Sequence, residues 1–248
     1  MAINIDIIIL SYGKNTALQQ MTRDGIASLL ASEDPQTIKF NVLVIESERS
    51  LEPYQYPDTV TLYPKTSFGY NKFMNMGVKA THNPYVCLCN NDLIFHKNWA
   101  SEILKEMDKD PTLLSASTYD DNFHQDEGLP KFQPPLEGYM DVLSPWCIFL
   151  KREIFDIIGP LDERLIFWYF DDDYCQTIIK HNVKNCLISS SFVTHLGSVS
   201  LKTVDKTENK KLTKFPEFYY RYKWEHRSYM KYIMQVLKFK LKMAVGAE

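Results

Sequence analysis

The sequence lacks the cysteine patterns and the strong net charge that would place it in several other classes of protein. Its 248 residues carry a formal net charge of −3, so the chain as a whole is not an electrostatic binder of nucleic acid, although single segments can be basic. Its five cysteines form no C-x-x-C pair and are odd in number, which argues against a disulfide framework or a structural zinc site. We predict five small buried hydrophobic residues: Cys87, Cys89, Cys147, Cys175 and Cys186.

Targeting and membrane-spanning patterns are also missing from the first residues. The stretch "MAINIDIIILSYG" has no basic flank, and Asp6 interrupts its apolar run, so neither a signal peptide nor a spanning helix is predicted. We therefore expect a cytoplasmic protein, and peripheral association with a membrane stays open. No internal repeat is present, which argues against a repeat architecture.

Strand and helix patterns alternate through the first half of the chain. The apolar, β-branched run over 3–10 is typical of a buried parallel strand, and the helical spacing over 16–32 leads to a second strand over 40–48. Further strands end near residues 64, 90 and 118, with helices between them. This alternation predicts one α/β domain with a mostly parallel sheet and helices on both faces.

Three later segments break the alternation. The stretch over 119–145 is rich in proline, glycine and acids, and we predict a long functional loop or a flap over a cleft. The stretch over 200–214 reads as a polar, lysine-rich segment. An aromatic and basic helix is predicted from about Phe218 to Met243.

Polar residues follow three of the predicted strands in the first half. They are Ser11 and Tyr12, Glu46 and Ser47, and the tripeptide over 90–92, "NND". Each alone is typical of a turn or a helix cap. Because the carboxyl ends of parallel strands meet at one edge of a sheet, together they predict a crevice of the size of a nucleotide.

The order of these motifs resembles the family-2 glycosyltransferases with the GT-A fold, in their rhamnosyltransferase-like branch. The resemblance spans roughly residues 4–200. "DIIILSYGKN" is similar to the opening strand and turn of the family, "VLVIESE" to the strand whose terminal acid reads the nucleobase, and "NKFMNMGVKATHNPYVCLCNNDL" to a helix followed by the strand that ends in D-x-D. The segment "WCIFLKREIFDIIGPLDERLIFWYFDDDYC" is similar to the stretch that ends in E-D-x-D, and "SFVTHLGSVS" to the closing H-x-x-G-x-S.

The sequence departs from the family pattern at three places. Asn90 and Asn91 precede Asp92 where the family has D-x-D, Phe170 stands at the first acid of E-D-x-D, and Glu46 replaces the commoner aspartate. These departures concern the metal ligands and the position of the base.

The resemblance implies an inverting glycosyltransferase, which moves a hexose or deoxyhexose from a nucleoside-diphosphate-sugar to an acceptor hydroxyl. It implies a domain over 1–215, with a donor half over 1–118 and an acceptor half over 119–215, and a separate C-terminal helix over 216–248. The acceptor would be a glycan, a lipid-linked glycan or a modified nucleic-acid base. The residues assigned to the donor are Ser11, Tyr12, Glu46, Asn71, Asn75, Asn90, Asn91 and Asp92.

The same resemblance assigns the metal and the base. Asp92 and His195 would hold Mn²⁺ or Mg²⁺, ions that accept oxygen ligands and, for Mn²⁺, imidazole. Asp171 would be the general base, and Asp173 a supporting acid that caps a helix beginning near Tyr174. The plainer alternatives are a cap at Asp92, a strand-end histidine at His195, and a helix cap formed by all three acids over 171–173.

Other functions and surfaces stay open. A sugar nucleotidyltransferase would use the same crevice, but "SYGKNTA" is a poor version of its glycine-rich phosphate loop. A non-catalytic nucleotide-sugar-binding protein of the same fold is the other alternative. Lysines over 202–211 could fold over the diphosphate, although a charged loop is more often solvated. The basic, aromatic C-terminal helix could contact an anionic membrane or a nucleic acid, or pack on the domain or on a second subunit.

Overall fold

The computed structural model describes residues 2–197, 199 and 203–244, and this part of the chain forms nine strands and eight α-helices. The strands are β1 (Ile3–Ser11), β2 (Ile38–Glu46), β3 (Val60–Leu62), β4 (Tyr85–Asn90), β5 (Leu93–Phe95), β6 (Leu113–Tyr119), β7 (Leu136–Glu137), β8 (Cys147–Lys151) and β9 (Lys184–His195). The helices are α1 (Thr16–Ala31), α2 (Tyr70–Ala80), α3 (Trp99–Lys109), α4 (Asp121–Asp126), α5 (Ile154–Ile158), α6 (Phe170–Lys180), α7 (Lys206–Trp224) and α8 (Tyr229–Ala244).

The strands form one open sheet in the order β3-β2-β1-β4-β8-β6-β9-β5, and β7 pairs with β9. Strands β3, β2, β1 and β4 run parallel to one another, as the alternation of strands and helices predicts. Strand β8 runs antiparallel between β4 and β6, and β9 is parallel to β6. The carboxyl ends of β1, β2 and β4 therefore lie side by side at one edge.

The core has two layers, one on each face of the sheet. Ile7 and Ile9 of β1 pack in a cluster with residues of α1 and α3, whereas Ile8 faces a second cluster formed with α2 and α6. A Cβ on Gly77 of α2 would lie 2.5 Å from the Cγ2 of Ile8, so glycine is what allows this helix to approach β1 so closely. The predicted α/β fold with helices on both faces is confirmed.

A buried carboxylate ties the amino end of β1 to β4 and β8. Asp6 is fully buried and accepts hydrogen bonds from Asn41 Nδ2 (2.8 Å), the backbone N–H of Asn83 (2.7 Å) and Arg152 Nη2 (2.6 Å). Burial alone would raise the pKa of Asp6, but these hydrogen bonds and the charge of Arg152 lower it overall. The acid that interrupts the apolar run in the sequence is thus a structural anchor.

The structure corrects the expectation for the segment over 119–145. It is not a structureless loop, because Asp120 accepts hydrogen bonds from the N–H groups of Asn122 and Phe123 and so begins α4. Further along, β7 pairs with Leu187 and Cys186 of β9 and extends the sheet. Short pieces of regular structure therefore hold this segment against the sheet.

The C-terminal region is a pair of helices, and the single predicted helix is wrong. Helix α7 begins twelve residues before Phe218, because Asp205 accepts hydrogen bonds from the N–H groups of Thr207 and Glu208, so lysines expected in a loop lie on a helix. Helix α7 ends at Trp224, and His226 has a positive φ of 53° before α8 begins. Of the helices in the described ranges, none is long and apolar enough to cross a membrane.

The ion pair of Asp6 with Arg152 predicts a large loss of stability when Arg152 is replaced. Because Arg152→Met leaves a buried carboxylate without its counter-charge, it should lower the free energy of unfolding by about 3 kcal/mol, measured by urea denaturation. Since the pKa of Asp6 is lowered by folding, the difference from wild type should be present above about pH 4 and vanish as the pH falls through the lowered pKa.

Lys109→Met is the control for this variant, because Lys109 forms an exposed ion pair with Glu106. Its effect should stay below about 1 kcal/mol. Equal destabilisation by both variants would contradict the anchoring role of Asp6.

Candidate active site

A polar crevice lies at the carboxyl edge of the parallel strands. Two adjoining cavities, of about 100 and 260 Å³, share Tyr12, Ser47, Phe68 and Phe167 in their walls. The smaller is also lined by Leu10, Ser11, Tyr70, Asn90, Asn91 and Asp92, and the larger by Lys14, Val204, Asp205, Glu208 and Leu212. The polar ends of β1, β2 and β4 thus meet, as their positions after parallel strands predict.

A chain of buried hydrogen bonds forms the floor of the crevice. The hydroxyl of Tyr56 donates to Glu46 Oε2 (2.9 Å) and lies 3.2 Å from Ser11 Oγ. Ser11 Oγ lies 3.1 Å from Thr22 Oγ1, which in turn accepts a hydrogen bond from Asn91 Nδ2 (2.9 Å). The chain links the ends of β2, β1 and β4 to α1, so each polar strand end is held in a fixed position.

Glu46 organises the loops at the edge of the crevice and does not line the cavities. Its carboxylate is fully buried, and Oε1 accepts hydrogen bonds from the backbone N–H groups of Gly13 (3.0 Å) and Glu48 (2.7 Å). Both oxygens therefore accept hydrogen bonds from within the protein. Glu46 thus holds the two loops in place, and the direct contact with a nucleobase that the resemblance implies stays a prediction.

Asn71 and Asn75 of α2 also lie outside the crevice walls. Asn71 Nδ2 donates to the carbonyl of Asp162 (2.9 Å), and Asn75 exchanges hydrogen bonds with the backbone of Leu161 (2.9 and 3.0 Å). Asn75 lines a separate cavity of about 400 Å³. The two amides clamp the loop before α6 onto α2, and their contacts with the donor stay a prediction.

Asp92, which lines the smaller cavity, lies beside His195. Asp92 Oδ1 lies 3.3 Å from His195 Nε2, and Asp92 is 3% exposed. The imidazole stacks on Trp146, with ring centroids 4.8 Å apart and planes 9° apart. Asp120 Oδ2 accepts a hydrogen bond from the backbone N–H of His195 (2.6 Å), which fixes the end of β9 beside β5.

These two side chains fit a divalent cation. His195 Nε2 is buried and has no hydrogen-bond partner among the described residues, whereas Asp92 Oδ2 accepts a hydrogen bond from the backbone N–H of Val199 (3.4 Å). Nε2 of His195 and Oδ1 of Asp92 are therefore available as ligands. Mg²⁺ and Mn²⁺ commonly use one or two protein ligands and complete their shell with phosphate oxygens and water. Asn90 Oδ1 instead accepts a hydrogen bond from Tyr70 (3.3 Å).

The three consecutive acids lie in the first turn of α6. The helix begins at Phe170, four residues before the predicted start, with Tyr169 at its N-cap position and no capping side chain. The expectation that Asp173 caps this helix is therefore wrong. All three carboxylates instead lie where negative charge complements the positive end of the helix dipole.

The three acids have different surroundings. Burial raises the pKa of Asp171, and burial followed by the charge of Asp171 raises the pKa of Asp172 to about 6. Burial also raises the pKa of Asp173, but hydrogen bonds from Lys223 and Trp224 oppose this effect. Asp173 Oδ1 lies 2.7 Å from Lys223 Nζ and 2.6 Å from Trp224 Nε1, so this acid fastens α7 to α6.

Tyr70 joins the acid cluster to the crevice. Its ring stacks on Phe170, the residue before Asp171, with centroids 3.9 Å apart, and its hydroxyl donates to Asn90. Burial raises the pKa of Tyr70, and the charges of Asp171 and Asp92 add to this effect. Tyr70 therefore connects the start of α6 to the end of β4.

Sequence reasoning missed several residues that build the site. No motif in the sequence marks Tyr56, Thr22 or Tyr70, because their roles depend on contacts between distant segments. Asp120 follows directly after β6, so the rule that singled out Asp92 at the end of β4 also applies to it. Ser200 and Lys202, which belong to the predicted closing motif and lysine segment, lie outside the described residues.

All five cysteines are buried and none forms a disulfide bond, as predicted. Three of them nevertheless meet on one face of the sheet: the Sγ of Cys87 lies 3.6 Å from that of Cys147 and 3.4 Å from that of Cys89. The spacing in the sequence does not reveal this cluster. It supplies three possible ligands, whereas a structural zinc site has four.

The fold and the crevice define a glycosyltransferase of the GT-A type, and comparison with known proteins identifies the family. Residues 6–158 match the model of Glycosyl transferase family 2, and the chain belongs to this family. This confirms the family resemblance; the rhamnosyltransferase-like branch stays a prediction. A search of curated proteins found no match.

Solved structures of glycosyltransferases share the fold at low sequence identity. Residues 1–349 of TarS from S. aureus match with a TM-score of 0.57 and 14% identity, over 88% of this chain and 72% of that one. GalNAc-T7, crystallised with UDP, GalNAc and Mn²⁺, matches with a TM-score of 0.58 and 12% identity, over 78% and 44%. Drosophila β1,4-galactosyltransferase 7 in complex with xylobiose matches with a TM-score of 0.54 and 12% identity, over 83% and 75%. The chain thus spans less than half of GalNAc-T7.

The anchoring role of Asp173 predicts an effect on α7. Asp173→Ala removes the acceptor of Trp224 and one of the two carboxylates that face Lys223, so it should lower the free energy of unfolding by about 1–3 kcal/mol. Hydrogen exchange of the amides over 206–224 should become faster, because the fastening of α7 is weakened.

Asp172→Ala is the matched control, because Asp172 precedes Asp173 in the same helical turn and forms no ion pair or hydrogen bond with α7 among the described residues. It should leave exchange in α7 unchanged. Unchanged exchange in Asp173→Ala as well would show that this acid does not hold the helix.

Proposed function

We propose that the protein transfers a hexose or deoxyhexose from a nucleoside-diphosphate-sugar to an acceptor hydroxyl, with inversion, in glycan biosynthesis. The observation that carries the proposal is the contact of His195 with Asp92, which lines the smaller of two adjoining cavities of about 100 and 260 Å³. Related folds support the class of donor, since TarS has been crystallised with UDP-GlcNAc and GalNAc-T7 with UDP and Mn²⁺.

The donor would lie along the carboxyl edge of the sheet. Its nucleoside would contact Tyr12 and Ser47, which the two adjoining cavities share, and Phe68 and Phe167 offer apolar surfaces for a ring. Lys14 lines the larger cavity and could approach a phosphate. The diphosphate would then lie close to Asp92.

Asp92 and His195 would hold the divalent cation, either Mn²⁺ or Mg²⁺. When bound, such a cation offsets the negative charge that develops on the diphosphate leaving group. Asp92 supplies the carboxylate oxygen, and the stacking of His195 on Trp146 orients the imidazole. Asn90 would position the sugar through its amide, since its carbonyl oxygen is held by Tyr70.

Asp171 would accept the proton of the acceptor hydroxyl as this hydroxyl attacks the anomeric carbon. Its pKa is raised by burial, which makes it a stronger base than an exposed aspartate. The aromatic side chains of Phe167 and Phe170 would limit the access of water to the reacting atoms. Asp173 would support this base indirectly, by holding α7 against α6.

The nature of the acceptor is open within the proposal. A neighbouring fold has been crystallised with xylobiose, which supports a glycan, and a lipid-linked glycan or a modified base would offer the same hydroxyl chemistry. The proposal keeps the division into a donor half over 1–118 and an acceptor half over 119–215. A nucleotidyltransferase or a non-catalytic binding protein would give no sugar transfer in the experiments below.

Donor binding should depend on the cation. Specific nucleotide-sugars from a panel should raise the melting temperature in the presence of Mn²⁺, because a ligand that binds only the folded state stabilises it. Asp92→Asn should abolish this increase and reduce transfer by roughly two orders of magnitude or more, because one ligand and one charge are lost.

His96→Gln serves as the matched histidine control for a His195→Gln variant, because His96 is exposed and bonded to Thr194. Only His195→Gln should weaken the Mn²⁺ dependence. Full transfer in excess chelator would remove the cation from the reaction, and stabilisation without any transfer would favour the binding protein.

The pH profile of transfer and the rates of two neighbouring variants should identify the general base. Asp171→Asn should reduce transfer by roughly two to four orders of magnitude while leaving donor affinity nearly unchanged, because it keeps the shape but removes the proton acceptor. Because burial raises the pKa of Asp171, the wild-type rate should fall on acidification at a pH above about 4, the ordinary value for aspartate.

Asp172→Asn should retain most of the transfer rate and is the control. Inactivity of Asp172→Asn with wild-type rates in Asp171→Asn would move the base by one residue. Wild-type rates in both variants would exclude these two acids from proton transfer.

A further inference from the structure

Helix α8 is held through one of its faces only. The rings of Tyr232 and Tyr222 stack with centroids 5.3 Å apart, and the ring of Phe239 meets that of Phe215 edge-on at 5.2 Å. At about 100° per residue, Tyr232 and Phe239 lie on the same side of α8. This face therefore packs on α7, which accounts for the aromatic residues of the predicted basic helix.

The opposite face of α8 is an exposed apolar stripe. Met230, Met234, Leu237 and Leu241 are 70%, 50%, 54% and 66% exposed. Their spacing of four, three and four residues aligns them along the side turned away from Tyr232 and Phe239. No residue of α8 is buried, and within the ranges that the structure describes nothing covers the stripe.

Lysines flank the stripe on both sides. Lys231, Lys238 and Lys242 lie along one edge and Lys240 along the other, and all four are exposed. None of them forms an ion pair with another described residue, and α8 contains no aspartate or glutamate. The face turned to solvent is thus apolar along its centre and positive at its margins.

The lysines at its margins determine which kind of partner fits this face of α8. The spacing of the stripe would also suit a coiled coil with a second copy, but two copies would bring lysines together with no acid to pair with them. A nucleic acid would match the lysines and leave the methionines and leucines in water. A bilayer with anionic lipids matches both features, because its acyl boundary accepts the stripe and its headgroups accept the lysines.

We propose that α8 lies in the interface of an anionic bilayer, with Met230, Met234, Leu237 and Leu241 turned into the acyl boundary. Helix α7, on which α8 packs, also contributes Glu208 and Leu212 to the larger cavity of the crevice. The attachment therefore places the crevice near the bilayer surface. It deepens the proposed function by favouring an acceptor carried by lipid, and that consequence rests on the proposed function.

Vesicle binding tests the attachment without any turnover. The full chain should co-sediment with vesicles made of equal parts of phosphatidylcholine and phosphatidylglycerol, should bind pure phosphatidylcholine weakly, and should be released by salt. The double variant Leu237→Gln/Leu241→Gln should reduce binding at least roughly tenfold, because half of the stripe is removed. Lys238→Gln/Lys242→Gln should lose most of the preference for the anionic lipid.

Two control variants remove an apolar side chain and a lysine elsewhere on the surface. Val60→Gln removes another exposed apolar side chain, 61% exposed on β3, and Lys65→Gln removes an exposed lysine. Both should bind vesicles like the wild type. Circular dichroism should show unchanged helix content in all variants, because the altered side chains make no core contacts.

Three outcomes would overturn the proposal. Folded wild-type protein could fail to bind the anionic vesicles, or the stripe variant could bind them as well as the wild type. Alternatively, the stripe variant could abolish a dimer seen by analytical ultracentrifugation while vesicle binding is absent, which would assign the stripe to a second copy. If the wild-type protein binds the vesicles but transfers no sugar, the proposed function is wrong and the proposed attachment to the bilayer still holds.

Discussion

The buried hydrogen-bond chain from Glu46 to Asn91 is the constraint on which the crevice depends. Its members lie at the ends of β1 and β2, after β4, within α1 and before β3, and each hydroxyl in it has at least two hydrogen-bond partners. Buried polar groups without partners are costly, so the chain is stable only when β1, β2, β4 and α1 are all in place. The walls of the crevice are consequently fixed before any ligand arrives.

A second constraint joins the crevice to the acids of α6. The stack of Tyr70 on Phe170 and the hydrogen bond from Tyr70 to Asn90 connect α2, α6 and the end of β4. The neighbouring aspartates of α6 differ in their contacts and in their pKa. Asp173 accepts a hydrogen bond from Trp224 of α7, whereas burial raises the pKa of Asp171. Identical residues are distinguished here by their partners and not by their type.

Much of the fold and the location of the site follow from local pattern. The apolar runs of β1 and β4 and the helical spacing of α1 and α3 predicted the sheet and its layers, and the polar residues after the strands predicted the crevice. Residues whose roles depend on distant partners escaped prediction. Glu46 and Asn75 are turned toward backbone groups of other segments, and Asp173 reaches Trp224, 51 residues away in the chain.

The sequence by itself determined the α/β class, the parallel edge at which polar residues gather, and the family, because hydrophobic periodicity and motif order are local properties of the chain. Only the tertiary structure decided which polar side chains face the crevice, that Asp92 and His195 meet, and that the C-terminal region forms two helices with one uncovered apolar face. These features depend on burial and on partners from other segments, and neither is encoded at any single position.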